Sequence, residues 1–198
     1  METLEVKMYS DYKSPFAYLA FDPALALPER YRVHVRWIPF QLRIKGQGSR
    51  SIYSEYKVAY SYLDARRWAQ PRGLLIRGPL KVYDTTPALI GGLFAEKHGR
   101  LLDYSRQVYE RFFRRDLGID QPEAIAAVLA SLGLSADEYR EYLTGEGLHD
   151  YERAQKEAAA DHVFGVPLFI FEREPFWGYD RMALLEQRLR EAGLAIST

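Results

Sequence analysis

Cysteine is absent from all 198 positions. The chain therefore forms no disulfide, offers no thiolate to a metal and carries no thiol nucleophile of its own. Any thiol chemistry must use a thiol brought by a ligand. An excess of charge of one sign is also missing: 27 Lys and Arg face 27 Asp and Glu. A nucleic-acid binder needs a basic surplus to displace counterions, and a polybasic anchor needs a basic cluster. Neither nucleic acid nor a membrane is an expected partner. No apolar run approaches the ~18–20 residues that span a bilayer. The opening METLEVKMYSDY lacks a basic flank followed by an apolar stretch, so no signal peptide is expected. The expectation is a soluble, cytoplasmic protein. The four histidines (His34, His98, His149 and His162) show no ligand spacing, so no metal site is expected.

Apolar material is plentiful. Hydrophobic residues make up 47% and aromatics 14% of the chain, enough for a sizeable core in one folded unit. Residues 4–9 alternate, with Leu4, Val6 and Met8 on one side, and predict a strand. Ser14 then suits a helix N-cap and Pro15 the first helical position, with the helix disrupted near Pro23. Residues 32–40 alternate again, which suggests a βαβ unit with parallel pairing. Residues 41–51 read as a basic loop bearing glycine, and 53–70 as an aromatic, charged helix. Four glycines and prolines break 71–86, and helical stretches follow near 87–98, 100–115, 121–132 and 135–143. Ser135 and Glu138 have capping-box spacing. A helix is expected over 151–163, then the β-rich LFIF, a turn over 172–175, a return strand at 176–178 and a last helix over 181–192 capped by Asp180. The β elements at each end are too few for a stable sheet alone, so they are expected to join in one sheet.

Three motifs carry a resemblance: DYKSPFAYLA at 11–20, YKVAYSYLDARRWA at 56–69 and FGVPLFIFEREPFWGYDR at 164–181. Together they resemble 2-hydroxychromene-2-carboxylate isomerases and the related kappa-class glutathione transferases. The likeness runs in order along nearly the whole chain. It implies an α/β, DsbA-like thioredoxin fold (βαβ … αββα), with 1–40 and 151–198 as the thioredoxin-like part and 41–150 as a large all-helical insertion. Redox members of the wider superfamily open their first helix with Cys-x-x-Cys. Here the matching residues are Ser14-Pro15-Phe16-Ala17, and dithiol chemistry is excluded.

Ser14 can be a plain N-cap. It can also stabilise a ligand thiolate beside the positive end of a helix. The resemblance implies that the ligand is glutathione, acting as a cofactor regenerated in each cycle. It also implies a cis bond before Pro167, with Val166 pairing its backbone to the cysteinyl part of glutathione. By the same resemblance Asp180, beside Tyr179, holds the γ-glutamyl ammonium group, and Lys57 reaches the glycyl carboxylate. Tyr179 departs from the small or polar residue common at its position. Asp64 and Arg66 match the middle motif as bracing residues. Tyr12, Phe16 and Trp177 flank the motifs and can line an apolar cleft for a flat substrate, or pack in the core. Lys13, Arg43 and Lys45 can attract a carboxylate-bearing aromatic substrate.

The leading expectation is a glutathione-dependent isomerase. The alternatives are a kappa-like glutathione transferase and a non-catalytic module that binds an extended peptide at Val166–Pro167. Another low-molecular-weight thiol can replace glutathione in any thiol-dependent reading. Relatives of this kind are often homodimers.

Overall fold

The structure, a computed structural model, describes residues 3–42 and 55–196. Most of the expected basic loop, with Arg43 and Lys45, lies outside them. Four strands form one sheet in the order β2-β1-β3-β4: β1 Leu4–Ser10, β2 Val33–Pro39, β3 Leu168–Phe171 and β4 Glu174–Trp177. β1 and β2 pair in parallel, with Met8 opposite Trp37. β1 and β3 pair antiparallel, with Met8 opposite Phe169, and β4 returns beside β3. β1 is thus one of the two inner strands, with β3, and the chain runs from it to Ser14.

The period-two pattern divides the strands between two faces. Val6, Met8, Val35, Trp37, Phe169 and Phe171 enter the larger core. That core is completed by α1 Pro15–Leu25, α8 Met182–Glu191 and helices between the two halves of the sheet. These are α2 Glu55–Ala69, α3 Thr86–Lys97, α4 Leu101–Arg114, α5 Pro122–Ser131 and α6 Ala136–Thr144. On the opposite face Tyr9, Ile38 and Leu168 meet Ala154 and Ala158 of α7 Glu146–Ala160. No helix among the described residues is long and apolar enough to cross a membrane.

Several element limits differ from expectation for physical reasons. α7 begins at Glu146 rather than near 151, because two glycines that look like a loop serve a close helix contact. A β-carbon on Gly147 would stand 2.5 Å from the Tyr142 ring. The β3–β4 connection is a two-residue turn, with positive φ at both Glu172 and Arg173, so β4 starts at Glu174. Asp180 does not cap the last helix. It lies inside a single 3₁₀ turn, Tyr179–Arg181, and α8 follows without a side-chain cap.

Pro23 does not end α1, which continues to Leu25. Proline has no N–H, so the Leu19 carbonyl loses its helical donor. Arg72, in a 3₁₀ turn that follows α2, supplies the replacement: its Nη1 donates to the Leu19 oxygen at 2.6 Å. The same guanidinium lies over the Tyr179 ring at 5.9 Å. A remote side chain thus satisfies a buried backbone group that the local sequence leaves open. Arg72→Met should cost about 1–3 kcal/mol in urea unfolding, the usual cost of a buried unsatisfied acceptor. In a Pro23→Ala background the loss should shrink, because the amide at position 23 returns. An equal loss in both backgrounds would contradict this account.

Candidate active site

Chain geometry concentrates polar groups where β1 passes into α1. Ser14 has extended backbone angles, φ −88° and ψ 117°, and caps α1. Its Oγ accepts from the Ala17 N–H at 3.2 Å, and the hydroxyl donates to the Val166 carbonyl at 3.2 Å. Both bonds are long for their types, whose common values are about 2.9 Å and about 2.7 Å. Ser14 is 4% exposed. The Val166–Pro167 peptide is cis. Residues 152 positions apart therefore meet through one hydroxyl.

Two amides beside this hydroxyl are open. The first four N–H groups of a helix lack intrahelical partners. In α1 Pro15 has no N–H, Ala17 bonds to Ser14 Oγ and Tyr18 bonds to the Ser14 carbonyl at 3.1 Å. Among the described residues, the Phe16 and Val166 amides have no hydrogen-bond partner in the chain. Open backbone donors are uncommon in folded proteins. Here they flank a hydroxyl at the positive end of a helix dipole, and the combination suits an anionic or polar ligand atom.

A buried ion pair lies beneath Ser14. Asp11 is fully buried and pairs with the Lys13 ammonium at 3.2 Å. It also accepts from the Leu42 N–H at 2.8 Å and the Lys13 N–H at 3.2 Å. Burial pushes the Asp11 carboxyl above its ordinary range, and Lys13 and the two amides oppose that rise. Lys13 is thus turned inward, toward Asp11 and the Tyr83 carbonyl, and its charge is committed. The neighbouring strand end is held as well. Gln41 donates to Asp84 at 2.6 Å and to Thr86 at 3.1 Å, while its oxygen accepts from Tyr151 at 3.0 Å. The spacing D-x-K before Ser14 was the only sequence signal for this brace.

The other expected site residues fall into three groups. Val166 and Pro167 lie against Ser14, and Trp177 is next to them, its indole over Gly165. Tyr12 is fully buried and donates to or accepts from Ser105 at 2.7 Å, packed among Trp37, Tyr104 and Tyr109. It is a core residue and lines no open cleft. Phe16 is half-buried against the same core. Tyr179 meets Trp68 edge-to-face at 5.4 Å, which joins α2 to the turn before α8. Asp180 is exposed and bonds to Arg181 at 2.5 Å. Lys57 is exposed on α2, and Asp64 pairs with Arg67 at 3.7 Å. α1 packs against both α2 and the 179–181 turn, the elements that carry Lys57 and Asp180, with Lys57 in the exposed first turn of α2.

Two cavities elsewhere do not compete for this role. One, of about 390 Å³, is bordered by Phe94, Tyr142 and three glutamates, with Lys97 already placed over the Tyr142 ring and paired to Glu146. The other, of about 330 Å³, is bordered by Lys7 and Asp161, which pair with each other at 2.6 Å. Neither includes Ser14 or Val166.

Comparison with known proteins agrees with this fold. Residues 5–190 match the family model of the DSBA-like thioredoxin domain. The chain is 27% identical over 192 residues to a 2-hydroxychromene-2-carboxylate isomerase of Pseudomonas putida, covering 93% of each protein. It is 25% identical to the enzyme of that name from Sphingobium xenophagum, covering 94% of this chain and 98% of the relative. Among solved structures, a 2-hydroxychromene-2-carboxylate isomerase superposes with a TM-score of 0.79 at 26% identity, over 96% of both chains. A probable DsbA oxidoreductase from Streptomyces coelicolor shares the fold, with a TM-score of 0.77 at 21% identity over 96% of this chain and 89% of that one.

The Asp11–Lys13 pair yields a test that needs no substrate. Asp11→Asn should destabilise by about 3 kcal/mol, because it strands a buried ammonium. Asp11→Asn combined with Lys13→Leu should recover most of that loss in urea unfolding. Equal losses in the single and double variants would show that the pair is not coupled.

Proposed function

The chain belongs to the DSBA-like thioredoxin domain family, and on that footing we propose that it is a glutathione-dependent isomerase of the 2-hydroxychromene-2-carboxylate type. The observation that carries this reading is the set of donors at the start of α1: the Ser14 hydroxyl, with the Phe16 and Val166 amides open beside it. The similarity to isomerases along nearly the full chain supports it.

The donor set suits a thiol ligand in a chain that has no thiol of its own. When bound, glutathione supplies a nucleophilic thiolate that adds reversibly to a conjugated double bond and so permits rotation about it. The chain's own residues do the rest. The Ser14 proton, held by only a long bond to the Val166 carbonyl, turns to the ligand sulfur. A hydrogen bond and a helix N-terminus both favour the charged form of a thiol and lower its pKa. The Val166 amide holds backbone of the ligand alongside. Asp180 takes the ammonium group of the ligand, and Lys57 takes a carboxylate. Asp180 is free to do so because its exposed pair with Arg181 is a weak, exchangeable one. Lys13 keeps the Asp11 charge from opposing the thiolate.

Calorimetric titration tests this reading. Reduced glutathione should bind, S-methylglutathione should bind more weakly, and Ser14→Ala should weaken reduced glutathione about tenfold, as loss of a hydrogen bond to a charged group does. Turnover of a 2-hydroxychromene-2-carboxylate should then leave the glutathione pool unconsumed, and should fall with Ser14→Ala in a folded protein. Consumption of one thiol per turnover would make the protein a transferase instead. No binding of reduced glutathione, or equal binding by Ser14→Ala, would remove the proposed role of Ser14.

A further inference from the structure

Phe164 and Trp177 are large aromatic residues that remain 63% and 52% exposed. They are not loose surface rings. Their centroids are 4.9 Å apart and their planes cross at 67°. The indole is also seated on backbone: a β-carbon on Gly165 would lie 2.7 Å from its Nε1 and 3.2 Å from its Cε2. Gly165 is thus the residue that lets the indole lie down, and Phe164 holds it from the side. Trp177 is fixed at its base too, because it stands opposite Leu168 in the sheet and Gly178 N–H bonds to the Pro167 carbonyl at 2.9 Å. The next residue after Gly165 is Val166, whose carbonyl receives the Ser14 hydroxyl.

We propose that Phe164, Gly165 and Trp177 form an aromatic notch that receives the flat ring of the substrate next to the Val166–Pro167 segment that Ser14 touches. This deepens the isomerase reading and rests on it for the reacting partner, though the notch itself is defined by the rings. Two planes near a right angle take a third ring face-on to one and edge-on to the other, the two arrangements that aromatic quadrupoles favour. Rings held in advance lose little freedom on binding. Phe164 and Trp177 are therefore specificity-determining residues for a planar aromatic ligand, and Gly165 is a positioning residue.

The test uses the whole protein labelled with ¹⁵N in its three tryptophans. Trp37 is buried, so the Trp177 indole signal is identified by substitution and followed during titration with trans-2-hydroxycinnamate. Saturable movement of the Trp177 signal is expected, with affinity about three- to tenfold lower for Trp177→Leu and for Phe164→Leu. Gly165→Ala, which removes no ring, should weaken binding similarly. The saturated analogue 3-cyclohexylpropanoate should bind less well than the flat ring. An unmoved Trp177 signal, or unchanged affinity in Phe164→Leu, would overturn the notch even where glutathione binds through Ser14. Movement with hydroxycinnamate but no glutathione binding would keep the notch and reject the thiol cofactor. A Trp177 signal that moves with protein concentration and not with ligand would make the pair a self-association patch, and overturn the proposal.

Discussion

One serine hydroxyl links the start of α1 to the approach to β3 at the point where chemistry is available. Ser14 Oγ takes the Ala17 amide on one side and gives its proton to the Val166 carbonyl on the other, each at 3.2 Å. The sheet makes this meeting possible. β1 pairs antiparallel with β3, so the end of β1 lies by the approach to β3, and the residue before Pro167 arrives beside the first turn of α1. Helix dipole, open amides and a weakly held hydroxyl proton then coincide. None would attract an anion strongly alone. Their convergence in a site shielded from water raises the value of each.

Charge around this point is arranged to leave the donors unopposed. A buried carboxylate so near would disfavour a second anion, but the Lys13 ammonium and two amides are spent on Asp11. The same pair fixes Leu42, and the Gln41 network fixes the end of β2. Polar residues near Ser14 thus serve mainly to keep backbone in place. The aromatic groups divide likewise. Tyr12 lies in the core, while Phe164 and Trp177 stand at the surface on a glycine.

Local patterns made much of the fold legible. Alternation in 4–9 and 32–40 marked the strands, within one residue of their limits, and Ser14-Pro15 marked the start of α1, because strand period and capping chemistry are properties of adjacent residues. Tertiary contacts account for what was not legible. Pro23 looks like a stop, and only Arg72, 49 positions later, makes it tolerable. Gly147 looks like loop, yet Tyr142 needs its missing side chain. Asp180 has a good cap identity, but the 3₁₀ turn puts it one residue before the cap position, which Arg181 occupies. At the site, the Ser14 cap and the flanking Pro167 were visible as motifs. The Asp11–Lys13 pair left only the spacing D-x-K as a trace, and the Val166 carbonyl as acceptor and the Phe164–Trp177 notch depend on contacts that no spacing in the chain encodes.

The central claim is that the start of α1 stabilises a thiolate brought by a ligand, and the pKa of bound glutathione tests it most directly. Because the chain has no cysteine, thiolate absorbance in the complex comes from the ligand alone. A free cysteine thiol titrates near about 8.5. In the complex the account predicts a value at least about one unit lower, moved back toward the free value by Ser14→Ala. A bound thiol that titrates like the free one, or a lowered value that Ser14→Ala leaves untouched, would contradict it.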